Sequence, residues 1–169
     1  ALSVEMLLLA GVERDRDAGL ARLGRALASG EAAEQFRRIV ERQGGDPDVL
    51  DDAAILPQAA ECELCTAPRA GFVQRVEPRA VGRGVVALGG GRRNMADVID
   101  PAVGFVITAK PGDWVEAGEP LASIYARDRA GIERGRSALR SAITIGDEAE
   151  PPLSLVSHRV TASGVEELP

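Results

Sequence analysis

The chain changes character near residue 57, and this change limits the folds it can adopt more than any other feature. Up to that point apolar residues recur at helical spacing, whereas from Glu61 onward short segments rich in Val, Ile and Thr alternate with Gly and Pro. Helical spacing predicts amphipathic helices, and short β-branched segments bounded by turn residues predict strands. We therefore expect an α+β protein, with a helical segment over residues 1–57, an α+β domain over 58–160 and a tail over 161–169.

Caps and stop residues divide the first segment into four predicted helices. The first is apolar nearly all the way round, which is typical of a helix buried against something larger. Asp15 or Asp17 is a candidate N-cap for the second, and Asp46 followed by Pro47 predicts the start of the fourth. The predicted helices cover residues 2–10, 15–29, 31–43 and 46–54.

The second segment carries six predicted strands and two predicted helices. The strands lie near residues 62–67, 71–77, 103–109, 113–116, 120–126 and 153–160, and the helices near 78–88 and 128–143. Asp128 is a candidate cap for the last helix, and Ile132, Gly135, Leu139 and Ile143 lie on one of its faces. This pattern favours a small mixed sheet with two helices over a doubly wound sheet.

Composition excludes two classes of partner. The net charge of -6 argues against general nucleic-acid binding, because neutralising phosphates needs a basic surface. The longest apolar run, around 6–10, is far below the ~20 residues that cross a bilayer, and the N-terminus lacks the basic start of a signal peptide. We expect no nucleic acid, no membrane and a cytoplasmic location. Aromatic residues make up only 3% of the chain, so Ala, Val, Leu and Ile must form the core.

Three glycines and two arginines form the most conspicuous motif: Gly89, Gly90, Gly91, Arg92 and Arg93. A phosphate loop places its glycines after a strand and before a helix, whereas these glycines follow a predicted helix. At that position glycines cap carbonyls, and the arginines complement the negative end of the helix dipole. We favour a structural cap and loop. The alternative is a loop that reaches a ligand or another domain.

A second motif spans residues 110–122, where GlyAspTrpVal is followed by GlyGluProLeu. The pattern is similar to the turns and strands of biotinyl and lipoyl carrier domains, in which glycines let a flattened barrel reverse direction. It predicts a barrel-sandwich-like hairpin. Lys110 precedes the turn instead of lying in a hairpin between Met-like neighbours, so we reject a carrier function.

Other reactive side chains have simpler interpretations. Cys62 and Cys65 lie three apart on a predicted strand and point to opposite faces, which favours two structural thiols over a redox pair or half a zinc site. Asp in turns is usually a local hydrogen-bond acceptor, and nothing in the spacing of the four acids resembles a calcium loop. Neither serine near the lone histidine lies in a nucleophile elbow. The four acids are Asp97, Asp100, Asp113 and Glu116. The two serines are Ser154 and Ser157, and the histidine is His158.

Several segments taken together resemble the last third of bacterial thymidine phosphorylases. They include AlaLeuSerValGluMetLeuLeuLeuAlaGly at the start, ArgAlaValGlyArgGlyValValAlaLeuGlyGlyGlyArgArg at 79–93 and ValIleAspProAlaValGlyPhe at 98–105. The resemblance covers almost the whole chain. It implies that the chain is a fragment of a homodimeric enzyme in which a helical and an α/β domain flank a cleft, and that residues 1–57 are a remnant of the α/β domain.

The resemblance also implies the chemistry of the parent enzyme: reversible phosphorolysis of thymidine to thymine and 2-deoxy-α-D-ribose 1-phosphate. Phosphate is then a co-substrate, no cofactor is needed, and electrostatic positioning drives the reaction. The family's phosphate loop and base-binding residues belong to upstream segments, so thymidine and phosphate would bind there. We assign no catalytic, substrate-binding or metal-binding residue to this chain and expect it to be inactive alone.

Within the family resemblance, the 89–93 motif is a candidate domain-closure loop, with Arg92 and Arg93 making closure contacts to the upstream part of the enzyme. The chief alternative function is a stand-alone, non-catalytic binding or scaffold module of the barrel-sandwich type. A carrier domain modified at Lys110 is a third possibility.

Overall fold

A computed structural model describes residues 1–149, 151 and 156–167, and it confirms an α+β protein. Five α-helices lie in the described part: α1 (Leu2–Leu9), α2 (Arg16–Ala28), α3 (Glu31–Arg42), α4 (Pro78–Leu88) and α5 (Arg129–Ala142). The strands are β1 (Glu61–Thr66), β2 (Gly71–Val76), β3 (Gly104–Ile107), β4 (Trp114–Val115), β5 (Pro120–Ala126), β6 (Ile143–Gly146), β7 (His158–Thr161) and β8 (Gly164–Glu167).

Side-chain caps fix where helices start. The Asp15 carboxylate accepts the Ala18 amide at 2.8 Å, and the Asp128 carboxylate accepts the Gly131 amide at 2.6 Å, so both predicted caps are confirmed. The predicted helix over 46–54 is wrong, because this stretch forms two short 3₁₀ helices, Pro47–Leu50 and Ala53–Ile55. Asp46 caps the first and Asp52 caps the second. Because the Asp52 cap begins a new short helix, the first one does not continue as an α-helix.

The sheets of the second segment are antiparallel, so the prediction of a mixed sheet is wrong. One sheet has the strand order β1-β5-β3 and the other has β4-β2-β6. Each long helix carries the chain from one sheet to the other: α4 lies between β2 and β3, and α5 lies between β5 and β6. No helix therefore returns the chain to its own sheet, which a parallel pair would need. Neither sheet closes among the described residues, and the barrel-sandwich comparison stays a prediction.

Two apolar clusters form the core of this segment, and both are built from Ala, Val, Leu, Ile and one cysteine. The first packs α4 and α5 onto the sheet that contains β5, and the second lies around β2 and β4. Buried members of the first are Cys65, Leu88, Val103, Ala122, Ile124, Ala126, Ile132 and Leu139, and those of the second are Ala67, Val73, Ala109, Val115 and Leu121.

The chain divides into two compact units. One contains Ala1–Leu56 together with the C-terminal residues from His158, and the other contains Pro57–Ser157. In the first unit β7 and β8 form an antiparallel hairpin, and Arg159 of the hairpin pairs with Glu5 of α1. That hydrogen bond lowers the pKa of the Glu5 carboxyl.

Two differences from the predicted strands lie near the C-terminus. Residues 161–169, which the sequence predicts to be a tail, include β8. Of the predicted strand over 153–160, residues 153–155 lie outside the described residues, 156–157 are not strand, and β7 begins at His158. Helix α5 ends at Ala142, and Ile143 begins β6 opposite Val76. None of the described helices is long and apolar enough to cross a membrane.

Candidate functional site

The glycine-arginine motif lies at the end of α4 and begins a loop that returns to its own base. Gly89 adopts a left-handed conformation (φ 100°), its amide donates to the Val86 carbonyl at 3.1 Å, and the Gly90 amide donates to the Val85 carbonyl at 3.0 Å. These two bonds form a Schellman cap. The amide of Asp100 then donates to the Gly89 carbonyl at 2.9 Å. We call residues 89–100 the closure loop.

The cap uses the amides that an anion would need. Because the Gly89 and Gly90 amides already donate to helix carbonyls, they are not available to hold a phosphate. A side chain at Gly90 would also clash, since a Cβ there would lie 2.8 Å from Cγ1 of Val85. The structural cap that the order of elements predicts is therefore confirmed for these two glycines.

Asp97 organises the middle of the closure loop. Its carboxylate accepts the amides of Arg93 at 2.8 Å and Asn94 at 3.0 Å, while its own amide donates to the Asn94 carbonyl at 3.1 Å. Hydrogen bonds from the amides of Asn94 and Arg93 stabilise the charged form and lower the pKa of the Asp97 carboxyl. The turn thus fixes the backbone next to Arg92.

Asp100 fixes the end of the closure loop. One carboxylate oxygen accepts the Ala102 amide at 3.0 Å, and the other accepts Nε and Nη2 of Arg127 at 3.1 and 2.9 Å. The Ala102 amide and then the Arg127 guanidinium lower the pKa of the Asp100 carboxyl. Asp100 therefore joins the cap of α4, the approach to β3 and the residue that follows β5.

The two arginines and the middle of the loop point outward. Arg92 and Arg93 are exposed. The positive charge of Arg93 helps to lower the pKa of the Asp97 carboxyl. Met95 is 97% exposed and Val98 is 86% exposed, and Ile99 is exposed as well. Exposed apolar side chains gathered in one short loop are typical of a contact surface.

The remaining acids serve their own turns, as predicted for turn aspartates. Asp113 accepts the Lys110 amide at 2.8 Å, and Glu116 accepts the Trp114 indole N–H at 2.9 Å. Within the described residues, no group of three or more His, Cys, Asp or Glu side chains gathers as a metal site would require. Lys110 is exposed and precedes the turn before β4.

The cysteines and the histidine are not part of the closure loop. Cys65 is buried in the first core cluster, where burial raises the pKa of its thiol, and Cys62 is exposed on the same edge strand; both are free. One thiol is thus buried and the other lies on an edge strand, and their structural role stays a prediction. His158 is exposed on β7 opposite Glu167, Ser157 precedes it, and Ser154 lies outside the described residues.

Arg127 is the residue of this site that sequence reasoning missed. It occupies the single position between β5 and the Asp128 cap, and its partner Asp100 is 27 residues away. The position between a strand and a capped helix was visible in the sequence. The pairing was not, because it depends on how β3 and β5 align.

Comparison with known proteins shows what this chain is similar to. Residues 72–146, which contain the whole closure loop, match the model of the pyrimidine nucleoside phosphorylase C-terminal domain. The chain is 44% identical over 156 residues to a thymidine phosphorylase of Burkholderia orbicola and 45% identical over 156 residues to one of Burkholderia cenocepacia. Each alignment covers 92% of this chain and 36% of the relative, so the chain spans about a third of the length of these relatives. The resemblance to the C-terminal portion of thymidine phosphorylases is confirmed, and residues 72–146 match the C-terminal domain of pyrimidine nucleoside phosphorylases.

Proposed function

We propose that this chain forms the C-terminal portion of a thymidine phosphorylase and that its closure loop contacts the upstream part of the enzyme when the cleft closes. The enzyme would convert thymidine and phosphate reversibly to thymine and 2-deoxy-α-D-ribose 1-phosphate. The names of the relatives support the reaction, and their greater length supports an upstream part.

One observation carries the assignment of role. The amides of Gly89 and Gly90 cap α4 and so do not face an anion, while the exposed Arg92 and Arg93 extend from the loop. A guanidinium donates several hydrogen bonds in a fixed plane, which suits a contact with a carboxylate or phosphate group. Phosphorolysis needs such contacts, since charge develops on the leaving base while phosphate attacks the anomeric carbon.

The apolar part of the loop supports the same role. Met95 and Val98 would lose exposed apolar surface if the loop met another domain, and this burial favours closure. The Asp97 turn holds the backbone between the arginines and these side chains, so both kinds of contact would form together. The catalytic and substrate-binding residues would all lie in the upstream part.

The test is the double variant Arg92→Ala with Arg93→Ala in the polypeptide that extends this chain upstream. We expect kcat/KM for thymidine phosphorolysis to fall about tenfold, equivalent to roughly 1.4 kcal/mol, because a closure contact is made more strongly in the transition state. The melting temperature should change little, since both side chains are exposed and solvent screens their charges.

Arg83→Ala is the matched control. Arg83 is an exposed arginine of α4 that lies 3.9 Å from Glu77, so its loss removes one arginine charge outside the closure loop. Its kinetics should equal those of the wild type. Unchanged kinetics in the Arg92 and Arg93 double variant would remove the proposed closure contact.

A further inference from the structure

The closure loop is held at its base by a small number of contacts that meet at one side chain. The amide of Asp100 closes the loop onto Gly89, and its carboxylate binds Ala102 and Arg127. Loops of this length whose ends meet are compact surface loops and are frequently functional. The orientation of the whole loop therefore depends on how Asp100 is held.

Arg127 is well placed to hold Asp100 in one orientation. Its backbone follows β5 directly and precedes Asp128, whose carboxylate caps α5, so a strand and a helix fix it on both sides. Its guanidinium presents two nitrogens, Nε and Nη2, to one oxygen of Asp100. A planar guanidinium that donates two hydrogen bonds restricts direction as well as distance.

The exposure of the two side chains indicates that their ion pair affects the orientation of the loop more than the stability of the protein. The Arg127 side chain is 66% exposed, whereas that of Asp100 is 18% exposed. Solvent screens an ion pair with such an exposed partner, so we expect it to add little to the free energy of unfolding. The pair can still select one orientation of the loop from several that the Schellman cap alone would permit.

We propose that Arg127 is a positioning residue for phosphorolysis, which acts through Asp100 to aim the closure loop and so bring Arg92 and Arg93 to their contact. This inference rests on the proposed function. Arg127 itself touches neither substrate nor the reacting atoms, and its effect is expected in the closed state only.

The kinetic test uses Arg127→Ala, Arg127→Lys, Asp100→Asn and the double variant Arg127→Ala with Asp100→Asn in the upstream-extended enzyme. We expect Arg127→Ala to lower kcat about tenfold with KM for thymidine nearly unchanged, because closure follows binding. Lysine keeps the charge but supplies no planar pair of donors, so it should recover only part of kcat. Asparagine can still accept the Ala102 amide but no longer attracts Arg127 by charge.

Arg129→Ala is the matched control. Arg129 lies two residues further on, is 67% exposed and pairs with Glu63 at 2.6 Å, so its loss breaks a similar ion pair that does not involve the closure loop. It should leave kcat unchanged. The double variant should lose no more activity than Arg127→Ala alone, because both changes interrupt the same contact. Wild-type kcat in Arg127→Ala, or additive losses in the double variant, would overturn the proposal.

Hydrogen exchange on the 169-residue chain tests the positioning without any assay of activity. Arg127→Ala should speed exchange of the amides within residues 90–102, and Arg129→Ala should not. If the wild-type extended enzyme fails to cleave thymidine, the proposed function fails, and the exchange result still reports on the loop. Unchanged exchange in Arg127→Ala would overturn the positioning role by itself.

Discussion

Asp97 and Asp100 determine the shape of the closure loop by accepting hydrogen bonds, Asp97 from neighbouring amides and Asp100 also from a residue that is distant in sequence. Asp97 holds the amides of Arg93 and Asn94, and Asp100 holds the Ala102 amide and the Arg127 guanidinium. Each of these carboxylates already accepts at least two hydrogen bonds and therefore has a structural role. Neither carboxylate is therefore a candidate general base, although both lie beside the proposed contact surface.

Both carboxyls should titrate below the ordinary aspartate pKa of about 3.9. Their hydrogen bonds form with the charged state, so the pKa in the folded protein is lower than in the unfolded chain. The resulting stabilisation of the loop is fully present above the unfolded pKa and is lost as the pH falls through the folded pKa. Carbon-13 NMR titration of the two side chains measures this directly.

An unfolded peptide of residues 92–102 supplies the reference, because it contains both aspartates without Arg127. Asp97→Asn and Asp100→Asn variants assign the two signals. A folded-state midpoint equal to or above that of the peptide would contradict the hydrogen bonds at that residue.

At the scale of elements, the contact between α4 and α5 depends on glycines where the helices approach most closely. A Cβ at Gly84 would lie 2.8 Å from the Cβ of Ala138 and 2.9 Å from Cε2 of Phe105. A Cβ at Gly135 would lie 2.6 Å from Cγ2 of the buried Ile124. The absence of side chains at these positions lets the helices pack on each other and on the sheet that carries the loop.

Replacing Gly84 with alanine should destabilise the protein by about 1–3 kcal/mol, because the added methyl group overpacks the contact. Gly82→Ala is the control in the same helix, since a Cβ at Gly82 meets no atom within 4 Å. That change should stabilise by about 0.5–1 kcal/mol through helix propensity. Urea unfolding measures both, and equal effects of the two substitutions would contradict the described packing.

The sequence predicted most elements because their signals are local. Asp15 and Asp128 mark helix starts by capping, and the glycines after α4 mark its end. Strand β6 was missed because Ile143 continues the helical spacing of Leu139, although it pairs with Val76. Strand β8 was missed because its residues are all exposed, so no burial pattern distinguishes it from a tail.

The candidate site was predictable only in part, because only some of its contacts are local in sequence. The order of helix and glycines was enough to favour a cap over a phosphate cradle. The ion pair between Asp100 and Arg127 spans 27 residues and depends on the alignment of two strands, so neither composition nor periodicity contains it. Nor could spacing alone reveal that Met95 and Val98 are exposed.

At the scale of the whole molecule, the two units differ in how much apolar surface they bury. The unit Pro57–Ser157 contains both core clusters. In the other unit Val4 is the buried hydrophobic residue among those described, while Leu2, Met6 and Leu9 of α1 are exposed. A helix apolar on all sides and exposed on most is typical of one that further protein covers, which supports the proposal of an upstream part.

We propose that this polypeptide supports a nucleoside phosphorylase and carries out no phosphorolysis by itself, because the catalytic and substrate-binding residues would lie in the upstream part. The most direct measurement is thymine release from thymidine and phosphate, compared between the 169-residue chain and the same chain extended upstream. We expect release by the extended polypeptide and none by the chain alone. Thymine formed by the isolated chain would contradict the account.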